Sequence, residues 1–190
     1  MSRPRASERI AWAVERLAVR PEDRILEIGC GHGVAVSEIC ERLEGGNVLA
    51  IDRSAKMIAA ATRRSAEHVA AGRATFATTT FEAADFGAQR FEKVLAIHVG
   101  LFTRRHPALA LSRVGDLLAP DGRIHLAYQP LDPAGAEATA AAFAATLVQN
   151  GFADPSVTVE SLAAGTQVHV SAGPTDGLHL TAGAKSPALD

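Results

Sequence analysis

Glu27 stands two residues ahead of a run in which glycine takes alternate positions, Gly29, Gly31 and Gly33, with Cys30 and His32 between them. Glycines at this density let a chain turn sharply and let a ligand lie directly on the backbone. Glu27 is poorly suited to sit beside a phosphate and well suited to a cationic ligand. The order G-x-G-x-G also differs from the dinucleotide fingerprint G-x-G-x-x-G, because Val34 stands where the third glycine would let a helix pack beneath a pyrophosphate. Asp52 closes a second apolar run about 20 residues further on, where a carboxylate can accept hydrogen bonds from both hydroxyls of a ribose. An acid there also favours a helix N-terminus, and both roles can hold together. Later in the chain His98, His106 and Tyr128 are groups able to hold or move a proton.

The elements that must position these residues read as strands alternating with helices. Ile25, Leu26 and Ile28 fit a strand covered on both faces, and past Gly33 the spacing of Val36, Ile39, Cys40 and Leu43 becomes helical. Ahead of them, Ile10, Val14, Leu17 and Ala18 form one apolar stripe, which predicts a capping helix within residues 1–20. Trp12 lies off that stripe and reads as a packed or half-exposed aromatic before it reads as a pocket wall. Val48 to Ile51 is a second buried strand, and Ser54 is the N-cap of a helix running to Val69. Ala74 to Ala77 and Phe91 to Ile97 are strands three and four, the latter ending at His98. Pro107 opens a helix, Leu117 to Gly122 makes a turn before strand five, and Tyr128 and Gln129 close that strand. Asp132 and Pro133 open an alanine-rich helix that stops at Asn150-Gly151. Val157 to Val159 and Gln167 to Val170 form an antiparallel pair around Ala164-Gly165. This alternation predicts an α/β domain over 1–173, with 174–190 a loosely attached tail.

The loop from Glu27 to Gly33, Asp52, the Phe91-Glu92 start of strand four and the Leu117 to Gly122 turn together resemble the class I S-adenosylmethionine-dependent methyltransferases, over roughly residues 20–172. The resemblance implies a doubly wound, mostly parallel seven-stranded sheet of order 3-2-1-4-5-7-6, with strand 7 antiparallel and helices on both faces. It implies S-adenosyl-L-methionine as methyl donor and S-adenosyl-L-homocysteine as product. Glu27, Gly29, Cys30, Gly31 and Gly33 would hold the methionine portion and Asp52 the ribose. Arg53, Met57, Thr80, Phe81 and Glu82 would border the adenine, with His98 at the same cleft. The family commonly has a Gly-Asp pair where this chain has Thr79-Thr80, so the side-chain partner of the adenine amino group departs from the pattern. At the end of strand four such enzymes present residues to the methyl acceptor. His98 is the leading base or positioning group there, with Tyr128 and His106 nearby, and a histidine hydrogen-bonded in a strand-end turn is the plainer alternative.

A net charge of −2 and isolated arginine pairs at Arg63-Arg64 and Arg104-Arg105 argue against nucleic-acid binding. No stretch of 18 apolar residues and no signal-peptide core precedes the domain, which predicts a cytoplasmic protein without membrane partners. Cys30 and Cys40 read as small buried hydrophobes, and no cluster of histidines and carboxylates suggests a metal. With no added substrate domain, the acceptor is expected to be a small molecule or a peptide end, taken through oxygen or nitrogen, by a monomer or homodimer. Two other readings are a catalytically silent cofactor-binding scaffold of the same fold and, disfavoured by Glu27 and the missing third glycine, a nicotinamide-dependent oxidoreductase.

Overall fold

A computed structural model describes residues 7–103 and 107–175. The apolar runs become the strands β1 (Arg24–Ile28), β2 (Asn47–Asp52), β3 (Ala74–Thr78), β4 (Phe91–Ile97), β5 (Leu118–Tyr128), β6 (Phe152–Leu162) and β7 (Gly165–Pro174). They form one sheet of order 3-2-1-4-5-7-6. β1 to β5 pair in parallel, whereas β7 runs antiparallel to both β5 and β6. A parallel sheet needs cover on both faces, and the period of two along each strand supplies two apolar surfaces. Leu26, Val94, Ile124 and Val170 pack with Leu111 and Val114 of α5 (Ala108–Leu117) and Leu147 of α6 (Ala136–Gln149). Ile25, Val48 and Leu95 pack with Val14 and Leu17 of α1 (Glu8–Leu17) and Val36 and Ile39 of α2 (Val34–Cys40). Each such buried side chain contributes roughly 1.5–3 kcal/mol relative to exposure, so the two layers fix which end of the sheet is left for chemistry.

Three local expectations are refined. The helix predicted from Ser54 to Val69 is divided into α3 (Ala55–Arg64) and α4 (Ala66–Ala70) at Ser65, which leaves helical geometry at φ −101° and ψ 23°. Its fully buried hydroxyl meets that of Ser37 at 3.0 Å, a local alternative to continuing the backbone ladder. The turn before strand five is already laddered: Leu118 pairs with Phe91 before a register shift brings Arg123 opposite Lys93. The alanine-rich helix is preceded by a single 3-10 turn, Pro133–Gly135, where the Asp132 carboxylate accepts from the Ala134 N–H at 3.0 Å. The expected tail lies, from residue 176 onward, outside the described residues.

Trp12 is buried, its indole N–H donating to the Glu160 carboxylate at 2.7 Å and its ring standing edge-on to His169. It tops a polar layer on the α1-facing side of the sheet. There Lys93 is ion-paired with Asp23, and His125 Nδ1 and His169 Nε2 lie 3.1 Å apart.

Candidate functional site

The glycine loop is tied crosswise to the end of β2. The N–H groups of Gly29 and Cys30 both donate to the Ile51 carbonyl, at 2.8 and 3.0 Å, and the Gly31 N–H donates to Asp52 Oδ2 at 3.0 Å. Asp52 Oδ1 accepts from the Ser54 N–H at 2.8 Å, so one carboxylate joins the loop to the start of α3 while lone pairs on both oxygens stay available. Gly29 and Gly33 are glycines for different reasons. Both have positive φ, +72° and +76°. A Cβ on Gly29 would lie 2.8 Å from Val99 at the cleft wall, whereas one on Gly33 would lie 2.8 Å from the Ala61 Cβ. Gly33 therefore allows α2 and α3 to approach, and Gly31 between them faces open space.

Above the loop lies a cleft of about 440 Å³. Of the residues singled out from the sequence, Gly29, Asp52, Arg53, Thr80, Phe81, Glu82 and His98 line it together. Glu27 is 3% exposed beneath it, and its Oε2 has no hydrogen-bond partner among the described residues. Burial, and then the nearby Asp52 charge, push its carboxyl up to about 8. Cys30 is buried, and its Sγ approaches the Gly31 carbonyl at 3.7 Å. Its thiol is pushed up by burial and then by Glu27. Met57, on the first turn of α3, is 38% exposed and is not part of the cleft wall. His106 lies outside the described residues.

His98 takes the left-handed conformation, φ +55°, uncommon for a residue with a side chain although histidine adopts it more readily than most. Its N–H donates to the Ala127 carbonyl at 2.9 Å, which anchors the bend to β5. The half-buried ring lies 5.4 Å from the Tyr128 ring, and burial, then the Arg9 charge, lower its pKa. Tyr128 donates its hydroxyl proton to Thr103 at 3.1 Å and packs against Phe143 of α6 at 5.2 Å. It belongs to a second depression of about 340 Å³ bounded by Pro130, Leu131 and Phe143. His98 and Tyr128 thus form the partition between the two.

A family model described as a methyltransferase domain matches residues 25–122, just over half of the chain. The chain belongs to this family. The match spans the loop, Asp52, β3, β4 and α5 of the methyltransferase domain and ends before Tyr128 and α6. Over 110 residues the domain is 36% identical to the nocamycin O-methyltransferase of Saccharothrix syringae, a span of 56% of this chain and 38% of that one. Over 113 residues it is 26% identical to the Bacillus subtilis (strain 168) protein YrhH, covering 60% and 61%. The chain therefore spans less than two thirds of either relative's length. Among solved structures, the precorrin-6y C5,15-methyltransferase of Geobacter metallireducens GS-15 superposes with a TM-score of 0.67 at 15% identity, covering 90% of this chain and 94% of that one. The magnesium protoporphyrin IX methyltransferase of Synechocystis PCC 6803, solved with bound SAM, gives 0.63 at 22% identity, with coverage of 86% and 74%. At these identities the likeness is one of fold.

Val99, Gly100 and Leu101, which follow His98 at the ligand-facing end of β4, complete the cleft wall, whereas sequence reasoning missed Thr103 and Phe143 as partners of Tyr128. Phe143 sits in an alanine-rich helix whose pattern gives no sign of which face meets β5. Arg113 of α5, which donates to the carbonyls of Glu82 and Ala84, was likewise invisible.

Proposed function

We propose that this domain binds S-adenosylmethionine in the 440 Å³ cleft and transfers its methyl group to an oxygen or nitrogen of a small molecule or peptide end. The observation that carries the reading is the Asp52 carboxylate, bonded to the Gly31 N–H under a loop that is open above Gly31. The donor set fits the cofactor in three places. Asp52 keeps acceptor capacity for ribose hydroxyls. The Gly29 backbone and the unpartnered Glu27 carboxyl suit the polar methionine end. Thr80, Phe81 and Glu82 border the remaining end, where a planar base would lie. When bound, the cofactor supplies a methyl group already activated by its sulfonium, which leaves the protein chiefly to align acceptor and donor.

His98 is the residue for a hydroxyl or protonated amine acceptor. A lowered pKa keeps its imidazole neutral near neutral pH, the state in which a ring nitrogen can take the acceptor's proton. The Tyr128 hydroxyl donates its hydrogen bond to Thr103, so its oxygen can accept one from the incoming group. The apolar depression beyond it, with Leu131 fully exposed at its rim, suits an apolar or aromatic acceptor. A catalytically silent member of the fold is the second reading, favoured by Thr80, whose hydroxyl accepts from the Ala83 N–H at 3.3 Å.

Calorimetric titration with S-adenosylmethionine, S-adenosylhomocysteine and NADH tests the proposal. Micromolar binding of the first two and none of the third is expected, with Asp52→Ala weakening both by about 100-fold through loss of charged hydrogen bonds. Absence of adenosyl binding, or an Asp52→Ala variant as tight as the parent, overturns it. Once an acceptor is found, homocysteine release should fall about 100-fold in His98→Ala. Unchanged turnover would remove His98 as base.

A further inference from the structure

The segment between β3 and β4 turns once at Thr80, whose carbonyl accepts from the N–H groups of both Ala83 and Ala84, at 3.3 and 3.0 Å. Thr80 and Glu82 both border the cleft, and the segment's start is tied to β2 by the Thr79 N–H, which donates to the Asp52 carbonyl at 3.0 Å. A lone turn of this length is marginal by itself, since fixing each residue costs about 1–2 kcal/mol. Its far side is held from α5. Arg113 donates through Nη1 to the Glu82 carbonyl at 3.5 Å and through Nη2 to the Ala84 carbonyl. Its guanidinium carbon lies 5.4 Å from the ring centres of both Phe81 and Phe86, covering two aromatics that are themselves in contact. A planar, always charged fork is the side chain that can do both at once.

The consequence concerns polarity. Arg113 takes the carbonyls of the turn, and Thr80 takes its later N–H groups. The N–H of Phe81 is left without an acceptor inside the turn, as at the start of any helical turn. That donor thus belongs to a residue of the cleft wall, while the Glu82 and Ala84 carbonyls are engaged by α5. Resting on the proposal that the cleft binds an adenosyl cofactor, we propose that Arg113 is the positioning residue of the base end, fixing the 80–84 turn so that its backbone reads a purine edge that accepts at N1. Adenine accepts there, whereas hypoxanthine carries a proton on N1 and a carbonyl in place of the amino group. Discrimination between the two would then depend on a residue that touches neither.

The test titrates the parent, Arg113→Met and Arg113→Lys with S-adenosyl-L-homocysteine and S-inosyl-L-homocysteine. The parent is expected to prefer the adenosyl compound by about tenfold or more, the effect of one hydrogen bond made or clashing. Arg113→Met should weaken the adenosyl compound about tenfold and the inosyl compound far less, bringing the ratio to roughly threefold. Arg113→Lys, charged but unable to span two carbonyls, should lie between. A general loosening would weaken both compounds equally, so an unchanged ratio overturns the inference, as does a parent that binds both alike. If circular dichroism finds Arg113→Met unfolded, the ratio in Arg113→Lys decides alone. A parent that binds no S-adenosylhomocysteine removes the cofactor reading, and this inference with it; a parent that binds it while both variants keep its ratio removes only the inference.

Discussion

Glu27 on β1 and His125 on β5 lie on one face of the sheet, in register through Leu95 of β4, and each has a buried side-chain atom without a hydrogen-bond partner among the described residues. Their surroundings differ in sign. Around His125 the cations have partners: Lys93 has Asp23, Arg16 shares Glu160 with Trp12 at 2.9 and 2.7 Å, and Arg123 donates to the Asp154 and Ser171 carbonyls. The bare nitrogen there belongs to an imidazole that burial, then His169, hold well below its ordinary pKa, and a neutral ring tolerates a dry site. Around Glu27 the neighbouring charge is a second acid, Asp52. One region is closed upon itself and holds elements together; the other keeps a buried acid unpartnered beneath the cleft.

The largest effect should come from opening the closed region. Asp23→Ala leaves Lys93 buried without its counter-charge and should lower unfolding free energy by about 3–5 kcal/mol in urea denaturation. The double variant Asp23→Ala with Lys93→Met should regain most of that loss. Equal destabilisation by both would show that the Arg20 N–H, which also bonds Asp23 at 2.7 Å, is the contact that counts.

Opposite pH dependences sharpen the contrast. Glu27 is raised in the folded protein from 4.5 to about 8, so the folded state keeps a proton that the unfolded chain has lost. Its contribution is present at and below pH 4.5 and declines as pH rises through 8. His169 is lowered from 6.5 to about 4, by burial first and then by the Arg16 charge. Its contribution is present above pH 6.5 and is lost as pH falls through 4. Glu27→Gln should flatten the decline between pH 4.5 and 8 and His169→Gln the loss between pH 6.5 and 4, each read as a change of slope in denaturation between pH 4 and 9. Variants that leave both slopes unchanged would break the comparison.

The smallest effect lies at the partition. Tyr128→Phe removes the bond to Thr103 while keeping the rings of His98 and Phe143 in contact, so stability should change by only about 1 kcal/mol. The Michaelis constant for an identified acceptor should rise severalfold with turnover little altered. A large fall in turnover at unchanged Michaelis constant would make Tyr128 part of the chemistry instead.

What the chain declares locally is what depends on local rules. Glycine spacing, an acid closing a buried strand and a period of two give the loop, Asp52 and the strand boundaries, because backbone conformation and apolar alternation are written residue by residue. β4 occupies Phe91–Ile97 as read from its pattern, and Ser54 caps α3 by accepting from the Met57 N–H at 3.3 Å. Tertiary structure alone decided that Gly33 lies against Ala61 of α3, that Ser65 turns inward to Ser37, and that Met57 stands outside the cleft wall. It alone brought Arg113 to a turn some thirty residues earlier and Phe143 to Tyr128. Such contacts depend on which helix face meets which strand, and the alanine pattern of α6 and the lone arginine of α5 leave that to the packing of the whole sheet.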